Sequence, residues 1–117
     1  MFKREAKEDL PIETLISAST RIQGDVSFSG GLHLEGKVSG SVRATPDAPS
    51  RLVASATALI EGSVEAQIVE LHGTVRGDII AARRATLGAT ACIEGNLHYG
   101  AIEMSAGARI NGKLVKL

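Results

Sequence analysis

The chain has 117 residues, 44% of them apolar but only 3% aromatic, with no Trp; one domain is expected, with a core of Val, Ile, Leu and Ala rather than one built on aromatic anchors. Thirteen basic residues balance thirteen acidic ones, so there is no basic excess for nucleic acid. The single cysteine, Cys92, excludes an internal disulfide framework, and no apolar run reaches the length of a membrane span.

The chain opens Met1-Phe2-Lys3-Arg4-Glu5-Ala6-Lys7-Glu8-Asp9, which lacks the apolar stretch of a secretory signal. With the lone thiol, this predicts a cytoplasmic location in a reducing compartment. Residues 1–13 are expected to form a flexible tail and residues 14–117 the folded domain.

From Ile22 onward one short pattern recurs, [Ile/Val]-x-Gly-x-[Val/Ile/Leu]. It starts at Ile22, Val38, Ile60, Val75, Ile93 and Ile110, at intervals of 16, 22, 15, 18 and 17 residues. The long interval contains Ala44-Thr45-Pro46-Asp47-Ala48-Pro49-Ser50-Arg51, whose prolines, Asp and Ser predict a loop insertion over 44–51. Removing about five residues there restores a period near 17.

Apolar and polar residues alternate within each unit, the periodicity of a strand buried on one face. The glycines would break most candidate helices. A second apolar segment recurs between units, as Leu32-His33-Leu34, Ile68-Val69-Glu70-Leu71, Ala85-Thr86-Leu87 and Ala101-Ile102-Glu103-Met104. Small residues precede the units at Gly36, Ala58, Gly73, Ala91 and Ala108, with Thr20 in the first copy. Each period thus holds about three short extended pieces separated by corners. Such a unit buries its apolar face only by stacking on its neighbours, which predicts an all-β solenoid of about six coils, each pairing with the coil above and below.

In that register Ile22, Val38, Ile60, Val75, Ile93 and Ile110 form an inward column. Gly24, Gly40, Gly62, Gly77, Gly95 and Gly112 stand beside it, where glycine serves either a tight corner or a close backbone approach. The next outward column reads Gln23, Ser39, Glu61, Arg76, Glu94 and Asn111. Its central Glu–Arg–Glu run fits a cross-strand charge ladder, and equally a solvated face with chance alternation.

No catalytic or metal-binding constellation stands out. His33, His72 and His98 have no metal-ligand spacing and are expected as surface histidines. Cys92, in an apolar stretch, is expected as a buried inert thiol. There is no G-x-S-x-G, P-loop or G-x-G-x-x-G motif, so no cofactor, nucleotide or metal is expected. Left-handed β-helix acyltransferases offer an enzyme alternative, because Val69, Val75, Ala81, Leu87, Ile93 and Tyr99 run at steps of six. Here, however, glycine follows two places after the apolar residue once per coil, and the step is lost after Tyr99. A monomeric solenoid acting as a binding module is the other alternative.

Over residues 12–117 the chain resembles the bactofilins, bacterial cytoskeletal proteins. The resemblance rests on Thr14-Leu15-Ile16 followed by Ile22-Gln23-Gly24-Asp25-Val26, and on Gly31-Leu32-His33-Leu34-Glu35-Gly36-Lys37-Val38-Ser39-Gly40-Ser41-Val42. It continues through Val75-Arg76-Gly77-Asp78-Ile79 and Ala91-Cys92-Ile93-Glu94-Gly95-Asn96-Leu97. It implies a non-enzymatic, right-handed parallel β-helix that polymerises end to end, without nucleotide, into non-polar filaments. These would scaffold cell-shape, cell-wall or polar-organisation machinery at the inner face of the membrane. The expected partners are other copies of the chain, membrane lipid, and cell-wall enzymes or polarity factors. The chain departs from many members in lacking a long proline-rich tail, so a partner recruited through one is not expected.

Two site expectations follow. A solenoid ends in open strand edges unless capped. The last unit runs directly into Leu114-Val115-Lys116-Leu117 with no polar capping helix, so Ile110, Leu114 and Leu117 are expected at one polymer contact, with Val26 and Phe28 at the other end. The opening Met1, Phe2, Lys3, Arg4 and Lys7 resembles the short membrane-targeting start of some bactofilins. An aromatic side chain there would enter the lipid interface, and each basic residue would add about 1 kcal/mol at an anionic surface.

Overall fold

The computed structural model describes residues 10–46 and 48–117. Among them every regular element is a strand. They are β1 (Ile12–Ile16), β2 (Arg21–Gln23), β3 (Val26–Phe28), β4 (Gly30–Leu34), β5 (Lys37–Ser39), β6 (Val42–Ala44), β7 (Ser50–Ala54) and β8 (Leu59–Glu61). They continue as β9 (Val64–Leu71), β10 (Thr74–Arg76), β11 (Ile79–Leu87), β12 (Cys92–Glu94), β13 (Leu97–Tyr99), β14 (Ile102–Met104), β15 (Arg109–Ile110) and β16 (Leu114–Lys116). β1 opens at Ile12, two residues before the domain start expected at 14.

All pairings are parallel, and they sort the strands onto three faces. The first face stacks β1, β4, β7, the second half of β9, the second half of β11, and β14. The second is a separate sheet of six strands, β2, β5, β8, β10, β12 and β15. The third stacks β3, β6, the first halves of β9 and β11, β13 and β16. One strand from each face makes one coil, so the chain winds a parallel β-helix with six levels on the second face. β9 and β11 are long enough to turn a corner and serve two faces.

The stacking register follows the repeat. Ile22 pairs with Val38, Val38 with Ile60, Ile60 with Val75, Val75 with Ile93, and Ile93 with Ile110. Alternation places the same side of each strand inward, and Leu32, Leu52, Val69 and Ala85 stack on the first face as Val42, Val64, Ile79 and Leu97 do on the third. These columns are the core, a set of like aliphatic side chains meeting across the axis.

Both roles left open for the glycine column are present. A Cβ on Gly62 would lie 2.2 Å from Gly40 O, and one on Gly112 2.0 Å from Gly95 O, so successive backbones touch at this corner. Gly40, Gly77 and Gly95 also have positive φ.

Corner length explains the uneven period. After the first-face strands of the first, third, fifth and sixth coils the chain makes a turn closed by an N–H three residues on, as in Ala58 N to Ser55 O and Ala91 N to Gly88 O. The second and fourth coils turn through Glu35-Gly36 and His72-Gly73 instead. Threonines in the longer turns tie the two kinds together. Thr57 Oγ1 donates to Glu35 O at 2.8 Å and Thr90 Oγ1 to His72 O at 2.5 Å. The extra connection between β6 and β7 spans 45–49, shorter than the expected 44–51, because Ala44 closes β6 and Ser50 and Arg51 open β7.

Candidate assembly surfaces

The two ends of the solenoid differ from its middle in one respect: the inward columns stop. At the N-terminal end β1, β2 and β3 are each paired on one side only. Their inward residues, Thr14, Ile16, Ile22, Val26 and Phe28, stack on Leu32, Leu34, Val38, Val42 and Ala44 below and on no described strand above. At the C-terminal end β14, β15 and β16 expose the opposite edges. There Ile102 and Met104 continue the first-face columns, Ile110 the second and Leu114 the third.

Exposure follows stacking rather than residue type. Leu97, one coil from the end, is 0% exposed, whereas Leu114 directly beneath it is 48% exposed. Met104 and Leu117 are likewise exposed, and Ile16, Ile22, Val26, Ile102 and Ile110 are half-buried. Among the described residues each end therefore presents apolar side chains ringed by strand edges without a partner, a surface a second strand layer would complete.

The expected contact residues fall unevenly on these ends. Val26, Ile110 and Leu114 lie in the inward columns of the terminal coils. Leu117 lies just past β16, its N–H donating to Tyr99 O. Phe28 is buried: its column continues as Ala44, Ala66 and Ala81, whose small side chains leave room for the ring inside the helix. Ile16, Ile22, Ile102 and Met104 were not among the expected contacts. Ile22, Ile102 and Met104 already stood in the repeating segments, and Ile16 shares a column with Leu34; following every inward column to its first and last member would have placed all four at the ends. The lipid-binding set Met1, Phe2, Lys3, Arg4 and Lys7 lies outside the described residues.

Both terminal rims carry mixed charge, with Glu13, Arg21 and Asp25 on the first coil and Glu103, Arg109, Lys113 and Lys116 on the last. Backbone donors near the glycine corners are partly taken up by side chains of the preceding coil. Ser41 N–H donates to Asp25 Oδ1, Asn96 N–H to Asp78 Oδ1 and Lys113 N–H to Asn96 Oδ1, each at 2.9 Å. These bonds tie the first coil to the second, the fourth to the fifth and the fifth to the sixth at the corner of closest approach.

The first and second faces carry ion pairs on their outer sides in their central coils. On the second face Arg76 bridges Glu61 at 3.1 Å and Glu94 at 3.5 Å, so the Glu–Arg–Glu run is a ladder. Its members are about half exposed, and such pairs contribute little each, about 0–1 kcal/mol. On the first face Arg51 meets Glu70 at 2.8 Å and also donates to Leu10 O, which ties the start of the described chain to the third coil.

His72 is exposed as expected, while His33 and His98 are half-buried and His33 sits 3.3 Å from Glu35. Cys92 is a free, half-buried thiol rather than a buried one. Ile93 takes the inward position, so alternation turns its neighbour outward, between Thr74 and Arg109. Among the described residues no three His, Cys, Asp or Glu side chains gather into a metal-binding group, and no helix is long and apolar enough to cross a membrane.

Comparison with known proteins agrees with this geometry. Residues 14–115 match the family model Bactofilin, described as polymer-forming cytoskeletal. Among solved structures the chain is similar to the subunit in a cryo-EM reconstruction of Thermus thermophilus bactofilin double helical filaments. The two share 30% sequence identity and a TM-score of 0.76, over 89% of this chain and 99% of that one. No curated protein matches the sequence.

Proposed function

The chain belongs to the bactofilin family of polymer-forming cytoskeletal proteins, and from that premise we propose that its subunits stack coil end on coil end into nucleotide-independent, non-polar filaments. The observation that carries the stacking is the break in burial between Leu97 and Leu114, 0% against 48% exposed in one column. Covering Leu114, Met104 and Ile110 removes apolar surface from water at about 25 cal/mol per Å² and gives the open strand edges a partner. Mixed charge on each rim supports contacts of an end with a copy of itself, because a twofold axis can set unlike charges opposite each other. The sequence has no phosphate-cradling motif through which nucleotide would govern growth.

The filament lies at the inner face of the cytoplasmic membrane. The basic and aromatic start of the sequence supports this, a weak lipid contact multiplied along a polymer. So placed, it scaffolds cell-shape, cell-wall or polar-organisation machinery, recruiting cell-wall enzymes or polarity factors through its polar outer faces. No catalytic step is assigned to it.

Electron microscopy of the purified protein in buffer free of nucleotide and metal tests the central point. Long thin filaments are expected. Uniform small particles across a concentration series would overturn end stacking.

A further inference from the structure

The columns of the core end in uncharged residues, with one exception. At the N-terminal end they close in Thr14, Ile16, Ile22, Val26 and Phe28. At the C-terminal end four of them close in Ile102, Met104, Ile110 and Leu114, and the fifth closes in Lys116. Lys116 pairs with Tyr99 and Tyr99 with Ala81, so the column that begins in buried Phe28 ends in a cation. Alternation along β16 agrees: Leu114 is inward, Val115 outward and Lys116 inward again. In an interior coil such a lysine would strand its ammonium in an aliphatic core. In the last coil Lys116 is exposed, and its head meets water at the open end. An inward-pointing charge on an open strand edge is one means by which β-proteins hold off pairing.

The charge around the two ends differs in the same sense. The last coil carries Arg109, Lys113 and Lys116 against Glu103, three basic residues to one acidic. Glu103 is already drawn to Arg84 of the preceding coil at 3.9 Å. The first coil carries Arg21 against Glu13 and Asp25, one basic residue to two acidic. A twofold axis across the C-terminal end can set each Glu103 opposite one cation, and it leaves two cations on each copy without a match. The same operation across the N-terminal end leaves one acid per copy, and none of its charges stands in a core column.

We infer that Lys116 makes the C-terminal contact the weaker, salt-gated step of assembly. Subunits pair first through their N-terminal ends, and the pairs join through their C-terminal ends once the cations there are screened. This rests on the stacking of like ends proposed above. Closing the C-terminal contact brings two ammonium groups to the margin of an apolar layer, where loss of water is costly and their repulsion is long-ranged at low salt. The N-terminal contact meets neither cost. Were unlike ends to meet instead, the basic end would face the acidic one, and salt would weaken assembly rather than strengthen it.

Sedimentation of the full chain at rising NaCl tests this, with Lys116→Met and, as a control for a charge lost away from the C-terminal end, Lys37→Met on the second face. Between about 0.01 and about 0.1 M salt the screening length falls from about 30 to about 10 Å. Over that range the protein concentration at which polymers first appear is expected to drop several-fold for the native chain and for Lys37→Met. Lys116→Met is expected to polymerise at the low concentration already at the lower salt. Leu114→Arg, which blocks the C-terminal contact, is expected to leave dimers by analytical ultracentrifugation. Adding Val26→Arg, or in a second chain Ile22→Lys, is expected to leave monomers, with strand content by circular dichroism retained. A salt response of Lys116→Met equal to that of Lys37→Met refutes the role of Lys116 while the filaments stand. Monomers from Leu114→Arg alone refute the order of the contacts. Polymers that dissolve as salt rises would show unlike ends in contact and overturn both this inference and the non-polar arrangement. No polymer from any chain at any salt overturns end stacking itself, and this inference with it.

Discussion

A methyl group decides how closely two coils can lie. Gly62 has no room for a Cβ because Gly40 O would stand 2.2 Å from it, whereas nothing lies within 4 Å of the same position at Gly24. Gly24 has instead a φ of +126°. Gly62→Ala must therefore push two coils apart and is expected to cost at least the 1–3 kcal/mol of an overpacked core. Gly24→Ala carries only the strain of a side chain at positive φ, roughly 1–2 kcal/mol. Urea midpoints of the two variants measure the difference; equal losses would show that close approach is not what the column requires. The ladder at Arg76 is a lesser matter at this scale, because half-exposed side chains on both partners leave the pairs well screened.

At the scale of elements, the corners set the spacing of the repeat. Short and long turns alternate through the first five coils, and the threonines of the long ones donate to carbonyls of the short ones. Where the 45–49 connection rejoins the helix, buried Ser50 accepts the Gln67 N–H at 2.9 Å through its Oγ. That bond satisfies a backbone donor at the very point where β9 bends from the third face to the first. Ser50→Ala leaves the donor unpaired and is expected to cost about 1–3 kcal/mol. Thermal unfolding reads the loss, and hydrogen exchange at Gln67 shows whether it is local. Unchanged protection at Gln67 would mean that another acceptor serves it.

At the scale of the whole molecule, assembly and location are separable. Leu114→Arg puts a charge into the exposed end of a core column and is expected to abolish filaments while strand content by circular dichroism is retained. Filaments of normal length from this variant would remove Leu114 from the end contact. Deleting residues 1–9 is expected to release the protein from anionic liposomes in a flotation assay and leave its polymers intact. Retained flotation would place lipid binding on the β-helix itself.

The inward columns and the coil number were legible in the sequence, since each depends only on spacing: a residue one period on lies one strand above. The Glu61–Arg76–Glu94 run was legible as a column, and only the folded chain showed that its charges pair. Val26, Ile110 and Leu114 could be placed in the terminal coils by the same spacing. Only the folded chain decided how much of each is covered. Phe28 is buried and Leu114 is not, although both belong to terminal coils, because the alanines along one column admit a ring and nothing described lies beyond the other. Cys92, sent outward by the same alternation that turns Ile93 inward, is half-buried between Thr74 and Arg109. Alternation tells which side of a strand a residue is on; burial depends on what the stacked coils bring against it.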